Sequence, residues 1–105
     1  MSHPAPRTVV TGGTRGIGAA VVRRLARCPD GSLQGHEVVA LGFAGRTEPP
    51  AWSQGLGQHL RAVSFDACDV TDPQATGRAF ARADADGSGL TGLVVSAGVW
   101  EPSGL

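Results

Sequence analysis

The amino-acid sequence predicts an α/β protein with one open, parallel β-sheet flanked by helices. Short apolar runs without polar alternation are typical of parallel strands, which are buried on both faces. Segments with the 3.6-residue period of a helix separate these runs, and glycine-rich turns mark the boundaries. The predicted order is strand, helix, strand, loop, strand, helix, strand. The 105 residues fit a single domain with about four strands.

The first strand and the first helix are predicted on either side of a glycine turn. Residues 8–11 form a β-branched run that ends at Gly12 and Gly13. From residue 17 to residue 28 the sequence has a helical period, and Pro29 ends the helix. The spacing predicts one buried helix face, which consists of Ile17, Ala20, Val21, Arg24 and Leu25.

The remaining elements follow from similar signals. The second strand is predicted at residues 37–41 and the third at residues 62–66. Residues 42–57 are predicted to form a loop with at most one short helical turn. Asp72 and Pro73 predict a helix start, with the aspartate as N-terminal cap, and this helix extends to residue 85. Residues 93–95 then predict a fourth strand.

The composition excludes several chemistries. All nine positive charges are arginine, and the sequence contains no lysine and no tyrosine. It therefore has no lysine for a Schiff base or a mononucleotide P-loop, and no phenol that could donate a proton. Nine acidic residues balance the arginines, so the charge does not indicate a nucleic-acid partner.

Targeting and metal signals are absent from the sequence. The two cysteines, Cys28 and Cys68, lack metal-ligand spacing and are expected to be reduced thiols. The N-terminus has no apolar core of signal-peptide length, and no apolar run approaches the roughly 20 residues of a membrane span. We therefore expect a cytoplasmic protein with no metal and no membrane partner.

The most informative segment lies between the first strand and the first helix and reads Thr11-Gly12-Gly13-Thr14-Arg15-Gly16-Ile17-Gly18. Gly12 permits a tight turn, Gly16 lets the backbone approach a pyrophosphate, and Gly18 lets the helix pack closely on the strand. Phosphates would meet unpaired N–H groups and the positive end of the helix dipole. A glycine-rich turn without a ligand is the alternative interpretation.

This Thr-Gly-x-x-x-Gly-x-Gly pattern resembles the cofactor signature of the classical short-chain dehydrogenase/reductase family. Two later segments resemble family elements in the same order, namely Cys68-Asp69-Val70-Thr71-Asp72 after the third strand and Val95-Ser96-Ala97-Gly98 after the fourth. The resemblance covers residues 8–98. It implies the N-terminal, cofactor-binding part of a Rossmann-like fold, truncated relative to the seven-stranded sheet of the family.

The resemblance also implies a set of cofactor-binding residues. It places Asp69 at the adenine ring and the last segment near the cofactor ribose. In that segment Val95 and Ser96 replace two asparagines of the family, and a serine hydroxyl offers fewer hydrogen bonds than an amide. The implied binding residues are Gly12, Thr14, Arg15, Gly16, Ile17, Gly18, Arg46, Asp69, Val70, Ser96, Ala97 and Gly98.

The cofactor expected at this site is NADP, with NAD as the alternative. An NAD site usually has an acidic residue at the end of the second strand, but residues 41–46 contain none. Glu37 stands at the beginning of that strand, away from the expected cofactor. Arg15 and Arg46 are available for a 2′-phosphate, which the arginine fork binds well. For Arg46, an ordinary surface position is the alternative.

The resemblance places catalysis in a part of the fold that follows these residues. Family members use a Tyr-x-x-x-Lys pair and a serine, and this chain contains no such pair. The implied reaction is hydride transfer between NADPH and a carbonyl or alcohol carbon in a complete protein, and we expect the chain alone to be inactive. A non-catalytic NADP-binding or sensing module and an inactive remnant are the alternatives.

The expected partners are a nicotinamide dinucleotide and an unidentified carbonyl or alcohol substrate. A strand over residues 93–95 at the end of the sheet would leave an apolar edge with unpaired N–H and C=O groups. We therefore expect either an oligomer or a complementing C-terminal half to cover this edge.

Overall fold

A parallel sheet of four strands organises the protein, in a computed structural model that describes residues 7–27, 37–42, 49–84 and 89–96. The strands are β1 (Arg7–Thr11), β2 (Glu37–Gly42), β3 (Val63–Ala67) and β4 (Gly92–Val95). They lie in the order β3-β2-β1-β4, and every neighbouring pair is parallel. The predicted fold class, a Rossmann-like open parallel sheet, is therefore confirmed.

Within the described ranges, two helices and one 3₁₀ segment cover the faces of this sheet. They are α1 (Gly16–Ala26), the 3₁₀ segment (Ala51–Ala62) and α2 (Pro73–Ala83). Successive strand residues point to opposite faces, so Val10 packs with α1 and the 3₁₀ segment, whereas Val9 packs with α2. In the described part of the chain, none of these helices combines the length and apolarity needed to cross a membrane.

The 3₁₀ segment is longer than the single turn that the sequence predicts. It consists of two pieces that meet at Gly57, where φ is 56° and ψ is −126°. Leu56 is buried, and Trp52 and Leu60 pack against the same apolar cluster. These three residues recur every four positions, a helical period that neighbouring glycines obscure in the sequence.

The predicted buried face of α1 is wrong. Ile17 is 79% exposed, Ala20 and Arg24 are also exposed, and Val21 and Leu25 are only half-buried. The residues that the helix does bury are Gly18, Ala19, Val22 and Ala26. The spacing favoured the bulkier apolar residues, but α1 starts so close to the glycine turn that glycine and alanine face the sheet there.

The start of α2 is capped as the sequence predicts. The Asp72 carboxylate accepts hydrogen bonds from the N–H groups of Gln74 at 3.0 Å and Ala75 at 3.3 Å, which the helix itself cannot satisfy. Ala79 and Ala83 are buried against the sheet. The helix ends at Ala83, two residues before the predicted end.

An apolar edge is present at β4, as expected from the sequence. Among the described strands, β4 pairs with β1 alone. Its side chains alternate, so that Val94 packs into the core while Leu93 is 55% and Val95 is 73% exposed. Leu93 and Val95 are thus exposed apolar side chains on the outermost of the described strands.

Candidate functional site

The turn between β1 and α1 occupies residues 12–15 at the carboxyl end of the sheet. Gly12 has a φ of 67° and Gly16 has a φ of 62°, both in the left-handed region that favours glycine. These two glycines let the chain leave β1, reverse, and enter α1 within four residues. The sequence prediction of a tight glycine turn at this point agrees with this geometry.

The turn is attached to the end of β2 by two contacts. The Gly13 N–H donates to the Leu41 carbonyl oxygen at 3.1 Å. The Thr14 side chain packs on the backbone of Gly42, where an added Cβ would lie 2.5 Å from Thr14 Cγ2. Residues at the end of β2 therefore support the turn directly.

Gly18 allows the first turn of α1 to pack against the glycine turn. A Cβ added at Gly18 would fall on the carbonyl oxygen of Gly12 and would lie 3.1 Å from the Gly13 Cα. Both neighbours are backbone atoms, which cannot move aside without changing the turn. A side chain larger than hydrogen does not fit at this position.

Gly16 has the opposite environment. A Cβ added there would meet no atom of the described residues within 4 Å. Its neighbours Arg15 and Ile17 are exposed, and Arg15, at the N-cap of α1, makes no side-chain hydrogen bond to the helix. The first N–H groups of a helix have no intrahelical acceptor. The start of α1 therefore presents donors and a positive dipole end to an open space.

Trp52 contacts the turn from the 3₁₀ segment. Its indole Nε1–H donates to the Thr14 carbonyl oxygen at 2.8 Å. The Arg23 guanidinium carbon lies 5.2 Å from the centre of the indole ring, and the Phe65 ring meets it edge-on at 5.7 Å. Sequence reasoning missed this residue, because the segment was predicted as a loop and no motif marks a backbone acceptor.

Asp69 lies two residues beyond the carboxyl end of β3. Its carboxylate accepts hydrogen bonds from the Thr71 hydroxyl at 2.6 Å and from the Thr71 N–H at 2.9 Å. The hydroxyl, followed by the backbone N–H, stabilises the charged form and lowers the pKa of Asp69 below its ordinary value. The neighbouring Val70 is 43% exposed. An anionic acceptor and an apolar side chain thus stand side by side at this edge of the sheet.

Ser96 follows β4 and is held beside the end of β1. Its N–H donates to both the carbonyl oxygen and the hydroxyl oxygen of Thr11, each at 3.1 Å. The backbone of Ser96 therefore joins the two strands without any side-chain amide. This contact holds the segment in which, by the family resemblance, Val95 and Ser96 stand in place of two asparagines.

The described residues among the predicted binding residues lie at the carboxyl end of the sheet. They follow the carboxyl ends of β1, β3 and β4, which are parallel and therefore end on the same side. Arg46, Ala97 and Gly98 lie outside the described residues. The remaining members are Gly12, Thr14, Arg15, Gly16, Ile17, Gly18, Asp69, Val70 and Ser96.

A cleft of about 520 Å³ lies elsewhere, near the amino ends of β1 and β2 and along β3. Two ion pairs line it, Arg7 with Glu37 at 2.6 Å and Arg82 with Asp66 at 2.7 Å. Glu37 is therefore engaged at the amino end of β2, away from the glycine turn, as the sequence predicts. None of the predicted binding residues in the described ranges lines this cleft.

Comparisons with known proteins match almost the whole chain. The family model for short chain dehydrogenase matches residues 7–104. The polyketide synthase GfsA of Streptomyces halstedii is 36% identical over 98 residues, a match that covers 91% of this chain and 1% of that protein. The chain is therefore similar to a very small part of that relative.

Two solved enzymes share the fold. A carbonyl reductase from chicken, solved with NADPH bound, is 27% identical with a TM-score of 0.72, over 93% of this chain and 36% of that one. A short-chain type dehydrogenase/reductase from Mycobacterium ulcerans is 28% identical with a TM-score of 0.72, over 96% and 35%. The chain spans about a third of the length of these enzymes.

The family match includes the glycine turn, the Asp69 segment and the end of β4. The sheet order and the flanking helices described above are shared with enzymes whose names carry the same family description. Sequence, fold and turn geometry thus agree. The chain belongs to the short-chain dehydrogenase family.

Proposed function

We propose that this chain is the NADP(H)-binding part of a short-chain dehydrogenase/reductase. The observation that carries the proposal is the open space at Gly16. Gly13, Gly18 and Gly42 are each closely packed by protein atoms, whereas a Cβ added at Gly16 would meet no atom of the described residues within 4 Å. Other glycines are equally open, but among the described residues Gly16 alone combines this openness with the first position of a helix. A glycine with a free approach at the start of a helix lets a phosphate group come close to backbone donors.

The residues at the start of α1 fit a pyrophosphate. The N–H groups of Gly16 and Ile17 belong to the first helical turn, and the Arg15 side chain does not cap them. The helix dipole adds a partial positive charge at the same point. The exposed Ile17 side chain adds an apolar contact for the bound cofactor.

Two further groups complete the proposed site. Asp69, with the exposed Val70 beside it, is proposed to contact the adenine ring. Ser96, together with residues 97–98, is proposed to lie near the cofactor ribose. Support comes from the positions of Asp69, Val70 and Ser96 after β3 and β4, at the carboxyl end of the sheet where ligands of open α/β sheets bind.

The proposed cofactor is NADP rather than NAD. The sequence over residues 41–46 offers no acidic side chain for a ribose 2′-hydroxyl. Arg15 is exposed beside the open space, and Arg46 follows β2 in the sequence. Two arginines favour the 2′-phosphate that distinguishes NADP. The chicken carbonyl reductase, which resembles this chain, was solved with NADPH bound.

The proposed activity of the complete protein is oxidoreduction. A nicotinamide dinucleotide supplies hydride transfer to or from a carbonyl or alcohol carbon. This chain has no tyrosine and no lysine, so its own residues are proposed to bind and orient the cofactor and to leave proton transfer to groups elsewhere in the protein. The second candidate is a non-catalytic NADP-binding module.

The similarity to a polyketide synthase suggests the kind of enzyme to which this chain belongs. The identity of 36% is higher than the 27% and 28% found with the two solved enzymes. We therefore place the chain, as part of the proposal, in a reductase unit of a polyketide-forming enzyme. A reading frame that continues into a serine and a Tyr-x-x-x-Lys pair would favour the reductase over the non-catalytic module.

The test is a pair of calorimetric titrations of the chain with NADPH and NADH. We expect tighter binding of NADPH in the unmodified chain. In Arg46→Asp, the affinity for NADPH should fall about 10-fold or more while that for NADH changes little, because a charge-assisted hydrogen bond contributes roughly 1.5–3 kcal/mol. Exposed Arg78 in α2 provides the control, since Arg78→Asp makes the same charge change away from the turn.

Two results would count against the proposal. Absence of binding for both dinucleotides to the unmodified chain would overturn it. Equal loss of NADPH and NADH affinity in Arg46→Asp would remove Arg46 from the 2′-phosphate site and leave Arg15 as the remaining candidate.

A further inference from the structure

The Trp52 hydrogen bond fixes one peptide group of the glycine turn. The indole N–H donates to the Thr14 carbonyl oxygen at 2.8 Å. This carbonyl and the Arg15 N–H belong to the same planar, trans peptide, so they point in opposite directions. Holding the carbonyl towards Trp52 therefore turns the Arg15 N–H to the other side of the chain.

The indole ring is itself held in place by its neighbours. Arg23 lies over one face, with its guanidinium carbon 5.2 Å from the ring centre. Phe65 packs against the ring at a centroid distance of 5.7 Å and an angle of 71°. An apolar side chain of similar size would satisfy this packing, but only a residue with an N–H or O–H group would also bind the Thr14 carbonyl.

We propose that Trp52 is a positioning residue for the dinucleotide, acting through the Thr14–Arg15 peptide. The inference rests on the proposed function, since it concerns the same site. Gly13 and the Thr14 side chain attach the turn to β2, and Trp52 attaches the peptide that leads directly into α1. A turn that is already ordered loses less freedom when it binds a ligand, and this raises affinity.

Trp52→Phe separates the hydrogen bond from the packing. Phenylalanine keeps an aromatic ring for Arg23 and Phe65 but lacks the donor. The affinity of the folded chain for NADPH, measured by calorimetry, should fall about 3- to 10-fold, the range expected for one lost hydrogen bond. In the ligand-free chain, the amide resonances of Arg15 and Gly16 should shift.

Leu60→Ala is the matched control. Leu60 lies in the same 3₁₀ segment and packs against the same apolar cluster, but it does not contact the turn through a hydrogen bond. This variant should unfold at a lower temperature, with unchanged NADPH affinity in the folded chain and unchanged amide resonances of Arg15 and Gly16.

A second measurement uses the unmodified chain. Because coupling between two sites is reciprocal, NADPH should slow the solvent exchange of the Trp52 indole N–H if that bond supports binding. Three results would each overturn the positioning role alone. They are an indole N–H exchange rate that NADPH leaves unchanged, an NADPH affinity of Trp52→Phe equal to that of the unmodified chain, and an equal loss of NADPH affinity in Leu60→Ala. Absence of NADPH binding to the unmodified chain would overturn the proposed function, and this role with it.

Discussion

Gly18→Ala is expected to lower the free energy of unfolding by about 3 kcal/mol, which is a large part of the stability of a small domain. The added Cβ would fall on the Gly12 carbonyl oxygen, a backbone atom of the turn. Either α1 moves away from the sheet or the turn is rearranged, and both changes expose buried apolar surface. Thermal unfolding should show a decrease in Tm of about 10–20 °C.

Gly77→Ala tests whether this loss is specific. Gly77 lies inside α2, and in the part of the chain that the structure describes a Cβ added there would meet nothing within 4 Å. The same substitution should therefore stabilise the chain by about 0.5–1 kcal/mol, since alanine is the better helix former. A Gly18→Ala variant that melts within a degree or two of the unmodified chain would contradict the packing described for α1.

Gly16→Ala is expected to weaken NADPH binding by about 10- to 100-fold. The new Cβ would project into the open space that we assign to the phosphates and would hold them away from the N–H donors of α1. Loss of one charge-assisted hydrogen bond corresponds to roughly that change in affinity. Stability should fall by only about 1–2 kcal/mol, the cost of a φ of 62° for alanine.

Gly57→Ala is the matched control for backbone strain. Gly57 also has a positive φ, of 56°, and a Cβ added there would also meet none of the described atoms within 4 Å. This variant should lose stability but keep the NADPH affinity of the unmodified chain. Similar affinity losses in both variants, measured calorimetrically on the folded proteins, would indicate that Gly16 acts through stability alone.

The sequence was sufficient to predict the sheet and the glycine turn, since both depend on local signals. Apolar runs marked all four strands, and Asp72 with Pro73 marked the start of α2. The turn was predictable because positive φ angles and close backbone contacts require glycine, which the sequence shows directly. Asp69 was identified by the family resemblance of its segment, and its role at the adenine ring stays a prediction; its hydrogen bonds to Thr71 are local in sequence.

Features that depend on tertiary packing were not predictable from local patterns. The buried face of α1 is set by its close approach to the turn, so the helix buries Gly18 and Ala19 and leaves Ile17 exposed. The hydrogen bond from Trp52 to Thr14 joins residues 38 positions apart. The spacing of apolar residues along the sequence indicates which face of a helix is apolar. It does not indicate which backbone carbonyl accepts a hydrogen bond from a side chain distant in sequence.

The most direct test of the central claim, that the chain binds a dinucleotide at its glycine turn, is amide chemical-shift mapping by NMR as NADPH is added. We expect the largest shifts at residues 12–18, with further shifts at Asp69 and Ser96. The cleft residues Ser64 and Arg82 should change little, because the cleft lies near the amino ends of β1 and β2. Shifts concentrated at the cleft, or no saturable shifts at the turn, would contradict the account.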